Sequence, residues 1–312
     1  MKKVTTDIAI RKNYFEDTIV LLGDFNVAGH DMNYVLRISS YGSKTNGNNV
    51  RVYFALLDDT KREYTEQNYE YTGDQVIIDD AHLLVRTDMV EINDSPEGLR
   101  LHLDYETLVL DFLIKRGPDK IDIKKFGKPQ EGGKVTTYAY PECTSSGHVT
   151  TLENYFETVG NVFYIRHSQT FESLFGFKKK LVRTTDDNSH FMFGFFKLSN
   201  FRKIMFGTFS SEEETTDTLA VMSYGDIIEI AIQPLKRVMM DFIEAEDKEN
   251  LIIRPNISSF DSRVALKCKT RLNVCEHMAP DDDDFKMYDK FVRCAGTYKE
   301  TKVTGYGYIV LF

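Results

Sequence analysis

The sequence predicts an all-β protein: two tandem domains of antiparallel strands, each closed as a barrel or a sandwich. Three observations carry that prediction. Apolar residues recur with a period of two along much of the chain, a pattern that buries one face of a strand and wets the other. Turn-forming residues interrupt these runs roughly every ten residues, the spacing of barrels and sandwiches. Two landmark stretches, Tyr138-Ala-Tyr-Pro141 running on to Gly176 and Tyr288-Asp-Lys-Phe-Val-Arg-Cys-Ala-Gly296 running on to Val303-Thr-Gly-Tyr-Gly-Tyr308, each read as strand, glycine turn and strand. Aromatic side chains there would fill an interior, and glycine admits tight turns and close backbone approach.

Taken in chain order, Gly23-Asp-Phe-Asn-Val-Ala-Gly29 opens a first series of strands, with alternation at Tyr34, Leu36 and Ile38. Leu99, Leu101, Leu103 and Tyr105 alternate on odd positions, then Leu108, Leu110, Phe112 and Ile114 on even ones. The phase changes at Glu106-Thr107, so a tight turn or a bulge belongs there. His190-Phe-Met-Phe-Gly-Phe-Phe196 opens a second series, followed by alternation at Ile228, Ile230 and Ile232 and at Val238, Met240 and Phe242. The longest run sets Val264, Leu266, Cys268, Thr270, Leu272 and Val274 against Ala265, Lys267, Lys269, Arg271 and Asn273, and predicts one long strand. Its Val264, Leu266, Leu272 and Val274 are expected to point into the second core. No helix of several turns is expected; Asn154–Val159 and Asp281–Tyr288 could hold short ones. Arg183-Thr-Thr-Asp-Asp-Asn-Ser189 is the best linker, which places the domains at residues 1–182 and 183–312.

Composition closes off several classes of function. At 312 residues, 42% hydrophobic and 28% charged, the chain is long enough for two cores. A net charge of −9 argues against nucleic acid as a partner, because phosphate binding rests on clustered Lys and Arg. The compact basic run Lys178-Lys-Lys180 reads as a solvated loop. Met1-Lys-Lys3 leads into Thr5, Thr6 and Asp7 without an apolar stretch, so no secretory signal is visible, and the apolar runs are too short to span a bilayer. Cys143, Cys268, Cys275 and Cys294 are widely separated and give no disulfide framework, so a reducing cytoplasm is the expected location. The histidines lack metal-ligand spacing. Cys268 and Cys275 have opposite parity, which sets them on opposite faces of an unbroken strand and leaves His277 a poor partner for a zinc site. Asp281–Asp284 lacks the alternation of a calcium loop and reads as a solvated acidic loop. No P-loop, dinucleotide fingerprint or Gly-x-Ser-x-Gly elbow occurs, so neither a metal nor another cofactor is expected.

At the landmarks the residues resemble a known family. Tyr138-Ala-Tyr-Pro141, Gly147-His-Val-Thr150, Val159-Gly-Asn-Val-Phe-Tyr-Ile-Arg166 and Phe171-Glu-Ser-Leu-Phe-Gly176 are similar to the middle signature of the lipocalin-like superfamily of carotenoid 1,2-hydratases (hydroxyneurosporene synthases), AttH-like proteins and related Diels–Alderases. Tyr288–Tyr308 is similar to its closing signature. The resemblance implies two lipocalin-like β-barrel domains and a hydrophobic ligand in or near a cleft between them. It also sets Tyr138 and Tyr140 where the family's hydratases carry a His-x-Trp, and Thr170 and Glu172 where they carry a Tyr-x-Asp. Tryptophan, frequent at the family's landmarks, is absent here; Phe25, Phe191 and Phe193 stand in such places, and Val310 stands where relatives often have a Glu.

Read as chemistry, the candidate catalytic groups are Glu172, Tyr138 and Tyr140. Glu172 lies among Phe171, Leu174 and Phe175, and apolar surroundings favour the protonated acid, which could give its proton to an alkene or a carbonyl. The other reading is an acid that points into water or pairs with Arg166. Tyr138 and Tyr140 share one face of a strand and could orient a ligand oxygen, or be ordinary barrel wall. His30, Tyr34, His167, His190, Phe191 and Phe193 are the candidate ligand-binding residues. The function expected is a cofactor-independent hydratase, isomerase or cyclase acting on a polyene- or terpenoid-like molecule. A carrier of a lipophilic ligand, or an interaction protein with filled barrels, is the alternative.

Overall fold

The structure is a computed structural model that describes residues 14–42, 48–79, 84–122, 135–170, 172–174, 177–179, 190–200, 202–210, 215–222, 235–239, 243–244, 250–253, 256–259, 264–268, 270–275 and 287–311, in some strands by backbone alone. The chain divides into two compact units, one of residues 1–123 with 132–180 and the other of 124–131 with 181–312.

The first unit opens with β1 (Tyr14–Val27), β2 (His30–Gly42), β3 (Asn48–Asp58) and β4 (Glu63–Thr72), a meander of long strands. A single turn of 3-10 helix follows, then the short β5 (Ile77–Asp79) and β6 (Leu84–Arg86) and the hairpins of β7 (Val90–Ser95), β8 (Gly98–Tyr105) and β9 (Leu108–Lys115). After β10 (Ile121–Asp122) come the two longest strands, β11 (Val135–Thr151) and β12 (Tyr155–Thr170). They form one antiparallel sheet in the order β4-β3-β2-β1-β12-β11-β9-β8-β7-β6-β5, with β10 on β11. The sheet curls until its two halves meet: the ring of Phe54 on β3 lies 4.8 Å from that of Tyr105 on β8, and Phe25 on β1 lies 5.6 Å from Phe112 on β9. Burial of the inner face follows the period of two, through Ile19, Leu21, Leu36, Val52, Leu101, Leu103, Leu110 and Val162. β13 (Glu172–Leu174) and β14 (Phe177–Lys179) pair as a separate small sheet.

The second unit is an eleven-stranded antiparallel sheet. β15 (His190–Leu198), β16 (Lys203–Ser210) and β17 (Thr215–Met222) form its meander. β18 (Leu235–Met239), β19 (Ile243–Glu244), β20 (Asn250–Ile253) and β21 (Asn256–Ser259) are short. β22 (Val264–Cys268), β23 (Thr270–Cys275), β24 (Met287–Tyr298) and β25 (Thr301–Leu311) complete it, with β25 returning beside β15. Phe196, Leu198, Ile204, Leu266, Val292, Val303 and Ile309 are buried.

Several expectations meet the structure directly. The phase change at Glu106-Thr107 is a tight turn, with Glu106 at φ 53° and Tyr105 opposite Leu108. The long run of the second unit is divided at Lys269, yet β22 and β23 pair with β24 in one continuous register, Cys268 opposite Cys294 and Asn273 opposite Asp289. Leu266 is fully buried, and the side chains of Val264, Leu272 and Val274 lie outside the described residues. Tyr155–Val159 belongs to a strand, not a helix, because pairing with β11 overrides the local signal. The acidic stretch 281–284 and the alternation at Ile228–Ile232 lie outside the described residues.

The landmark glycines are also placed differently from expectation. Gly147, Gly160 and Gly296 sit inside strands, and the turns fall at Leu152–Asn154 and at Lys299-Glu300. A Cβ on Gly160 would come 1.8 Å from the carbonyl oxygen of Asp24, so this residue is required by close approach of two backbones.

Candidate functional site

The expected phenols come together inside the first unit, and a bulge places them there. Tyr138 faces Arg166 and Tyr140 faces Tyr164 across the β11–β12 ladder, and the register then slips between Tyr140 and Cys143. Pro141 lies in that slip; a residue with no N–H is tolerated in a sheet where the ladder is interrupted. The extra residue changes which parity points inward. Tyr138 and Tyr140 before it, and Cys143 and Val149 after it, all pack on the inner face.

Three tyrosines line this end of the interior. Ring centroids lie 6.1 Å apart for Tyr138 and Tyr140, 5.8 Å for Tyr140 and Tyr164, and 6.2 Å for Tyr138 and Tyr164. Tyr138 and Tyr164 are buried, and burial pushes the Tyr164 phenol above its ordinary value against the opposing pull of Arg166, Tyr138 and Arg116. Around the rings stand cations. Arg166 is forked onto Asp17, Nε donating to Oδ1 at 2.9 Å and Nη2 to Oδ2 at 2.5 Å, with both side chains buried. Arg116 donates to Asp94 at 2.9 Å and lies 6.0 Å above the Tyr140 ring, and Lys120 Nζ lies 4.0 Å above that of Tyr138. Burial works against the charge on Arg116, but Asp94 outweighs it and holds the guanidinium protonated. Arg116 Nε is buried without an acceptor among the described residues, on a guanidinium that lies over Tyr140.

This arrangement can bind and polarise a ligand oxygen. Phenols both donate and accept, and a guanidinium N–H with no acceptor among the described residues is suited to a carbonyl or hydroxyl oxygen. The sequence reading missed Asp17, Asp94, Arg116, Tyr164 and Arg166 as site residues. A usable signal existed: Arg166 has the parity of Val162 and Tyr164, so a charge was bound to face inward. The reading in which Glu172 pairs with Arg166 has a competitor in the structure, because Asp17 holds that guanidinium.

The remaining candidates are dispersed. Tyr34 also faces inward, two rows along the sheet from Tyr138, lying over Gly23 between Phe25 and Phe112. His30 follows the β1–β2 turn and bonds Asp58 at 2.8 Å. His167 has the opposite parity to Arg166 and takes the outer face of β12. Glu172 lies on β13, and His190, Phe191 and Phe193 on β15 of the second unit; their side chains lie outside the described residues. On the outer face of the first unit Asp111 bridges two histidines, His102 Nδ1 at 2.5 Å and His148 Nε2 at 3.0 Å, beside a groove of about 540 Å³ lined by Ser146, His148, Tyr155, Glu157 and Val159. Among the described residues no cluster of His, Cys, Asp or Glu could hold a metal ion, and no helix is long and apolar enough to cross a membrane.

The curled antiparallel sheet of the first unit, closed around apolar and aromatic side chains, has a lipocalin-like fold. Solved structures similar to this chain include two that match over nearly its whole length. The crystal structure of a protein assigned as an AttH from Nitrosomonas europaea is 10% identical, with 99% of this chain and 96% of that one covered at a TM-score of 0.67. Kievitone hydratase from Nectria haematococca is 13% identical, with 94% and 88% covered at a TM-score of 0.57. At these identities the likeness is one of fold. No family model matches the chain, and no curated protein matches it in sequence.

Proposed function

We propose that the tyrosine end of the first unit binds an elongated apolar molecule through a carbonyl or hydroxyl oxygen and that the protein acts on it without a cofactor, by acid-assisted hydration, isomerisation or cyclisation. The observation that carries this reading is Arg116, whose Nε has no acceptor among the described residues and whose guanidinium lies over Tyr140. Arg116 would hold and polarise the ligand oxygen. Tyr140, with Tyr138 beside it, would orient the ligand and donate a proton, with Glu172 the alternative donor. The fold shared with a hydratase supports the reaction class.

One observation favours carriage instead: the carboxylates at this end, Asp17 and Asp94, are both ion-paired with arginines and so unsuited to act as acids. Mass spectrometry of metabolites that co-purify with the protein, followed by turnover assays on them, separates the two readings. Catalysis predicts that Tyr140→Phe or Glu172→Gln lowers turnover by roughly 10²–10⁴-fold with little change in binding. A ligand that binds, depends on Arg116 and is never converted makes the protein a carrier. A ligand whose affinity is unchanged in both Arg116→Met and Tyr140→Phe would defeat the site itself.

A further inference from the structure

The outer face of the first unit carries a groove that the tyrosine end does not use. Its floor is β11 and β12, where Ser146 stands opposite Val159 and His148 opposite Glu157, with Tyr155 next along the same face of β12. Tyr155 and Val159 are 60% and 75% exposed, two large side chains left bare in one place. The volume, about 540 Å³, is that of a site for a small molecule. Tyr138, Tyr140 and Val149 of β11 turn to the interior, so the groove and the tyrosine end lie on opposite faces of the sheet.

Several polar groups at the groove are already committed. Asn26 at its edge donates through Nδ2 to Asp31 at 3.0 Å and accepts the Gly29 N–H on Oδ1 at 3.2 Å, and Thr158 donates its hydroxyl to the Asn26 carbonyl at 2.7 Å. His148 is fixed from two sides. Its Nε2 lies 3.0 Å from Asp111 Oδ2, and its ring stacks on Tyr155 with centroids 4.7 Å and planes 28° apart. An Nε2–H donated to Asp111 leaves Nδ1 of the neutral ring as an acceptor. Glu157 is exposed, stands in no ion pair among the described residues, and as a carboxylate only accepts. Of the cations on this face, Lys115 is opposite Thr144, two rows from His148; Arg100 is held by Glu97 at 2.7 Å, and His102 by the other oxygen of Asp111. The groove therefore presents acceptors and an open aromatic face, with no Lys or Arg in its lining among the described residues.

We propose that this groove is a second ligand site, for small organic ammonium ions: a protonated primary amine on an aromatic or alkyl body. The ammonium N–H groups donate to the Glu157 carboxylate and to His148 Nδ1, while the body covers Tyr155 and Val159. That placement also brings the charge near the face of the Tyr155 ring, where a cation is attracted by the ring electrons. Asp111 acts as a positioning residue, holding His148 so that its acceptor nitrogen is the one left for the ligand. Because the carboxylate is exposed, the attraction is screened and the affinity is modest.

The test uses the full chain and two probes of one shape, phenethylammonium chloride and neutral phenethyl alcohol, titrated by saturation-transfer NMR at neutral pH, where an alkyl amine is protonated. The ammonium should bind saturably, and more weakly as salt is added. Glu157→Gln keeps the shape of the side chain and removes its charge, so the ammonium's affinity should fall several-fold while the alcohol's stays as it was. Tyr155→Ala should weaken the ammonium as well. Both side chains are exposed, so neither substitution threatens the fold. Arg116→Met, at the tyrosine end, should leave the ammonium's affinity unchanged, so the two sites fail separately. Absence of saturable ammonium binding would overturn the proposal, as would full binding in Glu157→Gln or loss of binding in Arg116→Met. An equal loss of both probes in Glu157→Gln would overturn the choice of a cation as the ligand.

Discussion

Asp17 and Arg166 form the buried ion pair at the tyrosine end of the interior. A buried ion pair costs desolvation on both sides, and its attraction compensates only when both partners are present. Arg166→Met alone should therefore take from Asp17 its forked, buried partner and cost about 3–5 kcal/mol in urea unfolding, whereas Asp17→Leu with Arg166→Met should recover most of that loss. If the double variant is as unstable as the single, the pair does more than cancel its own charges. Asp58 gives a prediction in pH. Burial raises its carboxyl, but the N–H groups of Lys61 and Thr60 and the ring of His30 hold it, on balance, below its ordinary value. A depressed folded-state pKa contributes stability above the unfolded value of about 3.9 and loses it as pH falls through the folded one. Asp58→Asn should thus lower the melting temperature at pH 7, and the difference from wild type should close as acid protonates Asp58. A constant gap from pH 7 to pH 2 would show that the charge is irrelevant.

At the scale of elements, legibility depended on how many faces of a strand are covered. β8 and β9 alternate buried with exposed or half-buried residues and could be read to the residue. β1 and β12 are buried on both faces, Val20, Leu22, Phe163 and Ile165 as fully as Leu21 and Tyr164, so their sequences are continuous apolar runs with no period to read. The Tyr-x-Tyr-Pro landmark was visible, while the bulge that aims it was not, since a bulge is a property of two strands. Glycine was misassigned to turns for the same reason: nothing local to Gly160 reveals that Asp24 crosses it. Gly160→Ala should force the β1–β12 seam apart and destabilise the protein by about 1–3 kcal/mol, the usual range for overpacking. A variant with wild-type stability in urea would mean that the two backbones are farther apart than 1.8 Å from Cβ to oxygen implies.

At the scale of the molecule, the order of strands in the first unit departs from their order in sequence, and that departure decides how the unit can fold. β1 to β4 form one half of the sheet and β5 to β9 the other, and they are joined only through the β11–β12 hairpin, which arrives last. The seam it makes is distant in sequence; the bonds between Arg166 and Asp17 span 149 residues. Local hairpins can form early, but the interior, including the whole tyrosine end, is assembled only when that hairpin inserts between them, and such non-local pairing places folding in the slow range of milliseconds to seconds. A chain ended at residue 134 keeps both halves and lacks the strands that join them, so it should bind hydrophobic dye and show no cooperative urea transition. A chain ended at residue 180 contains the remainder of the unit and should regain the transition. Cooperative unfolding of the shorter chain would mean that the two halves find each other without the hairpin, and the site would then owe its tyrosines, but not its walls, to the last strands made.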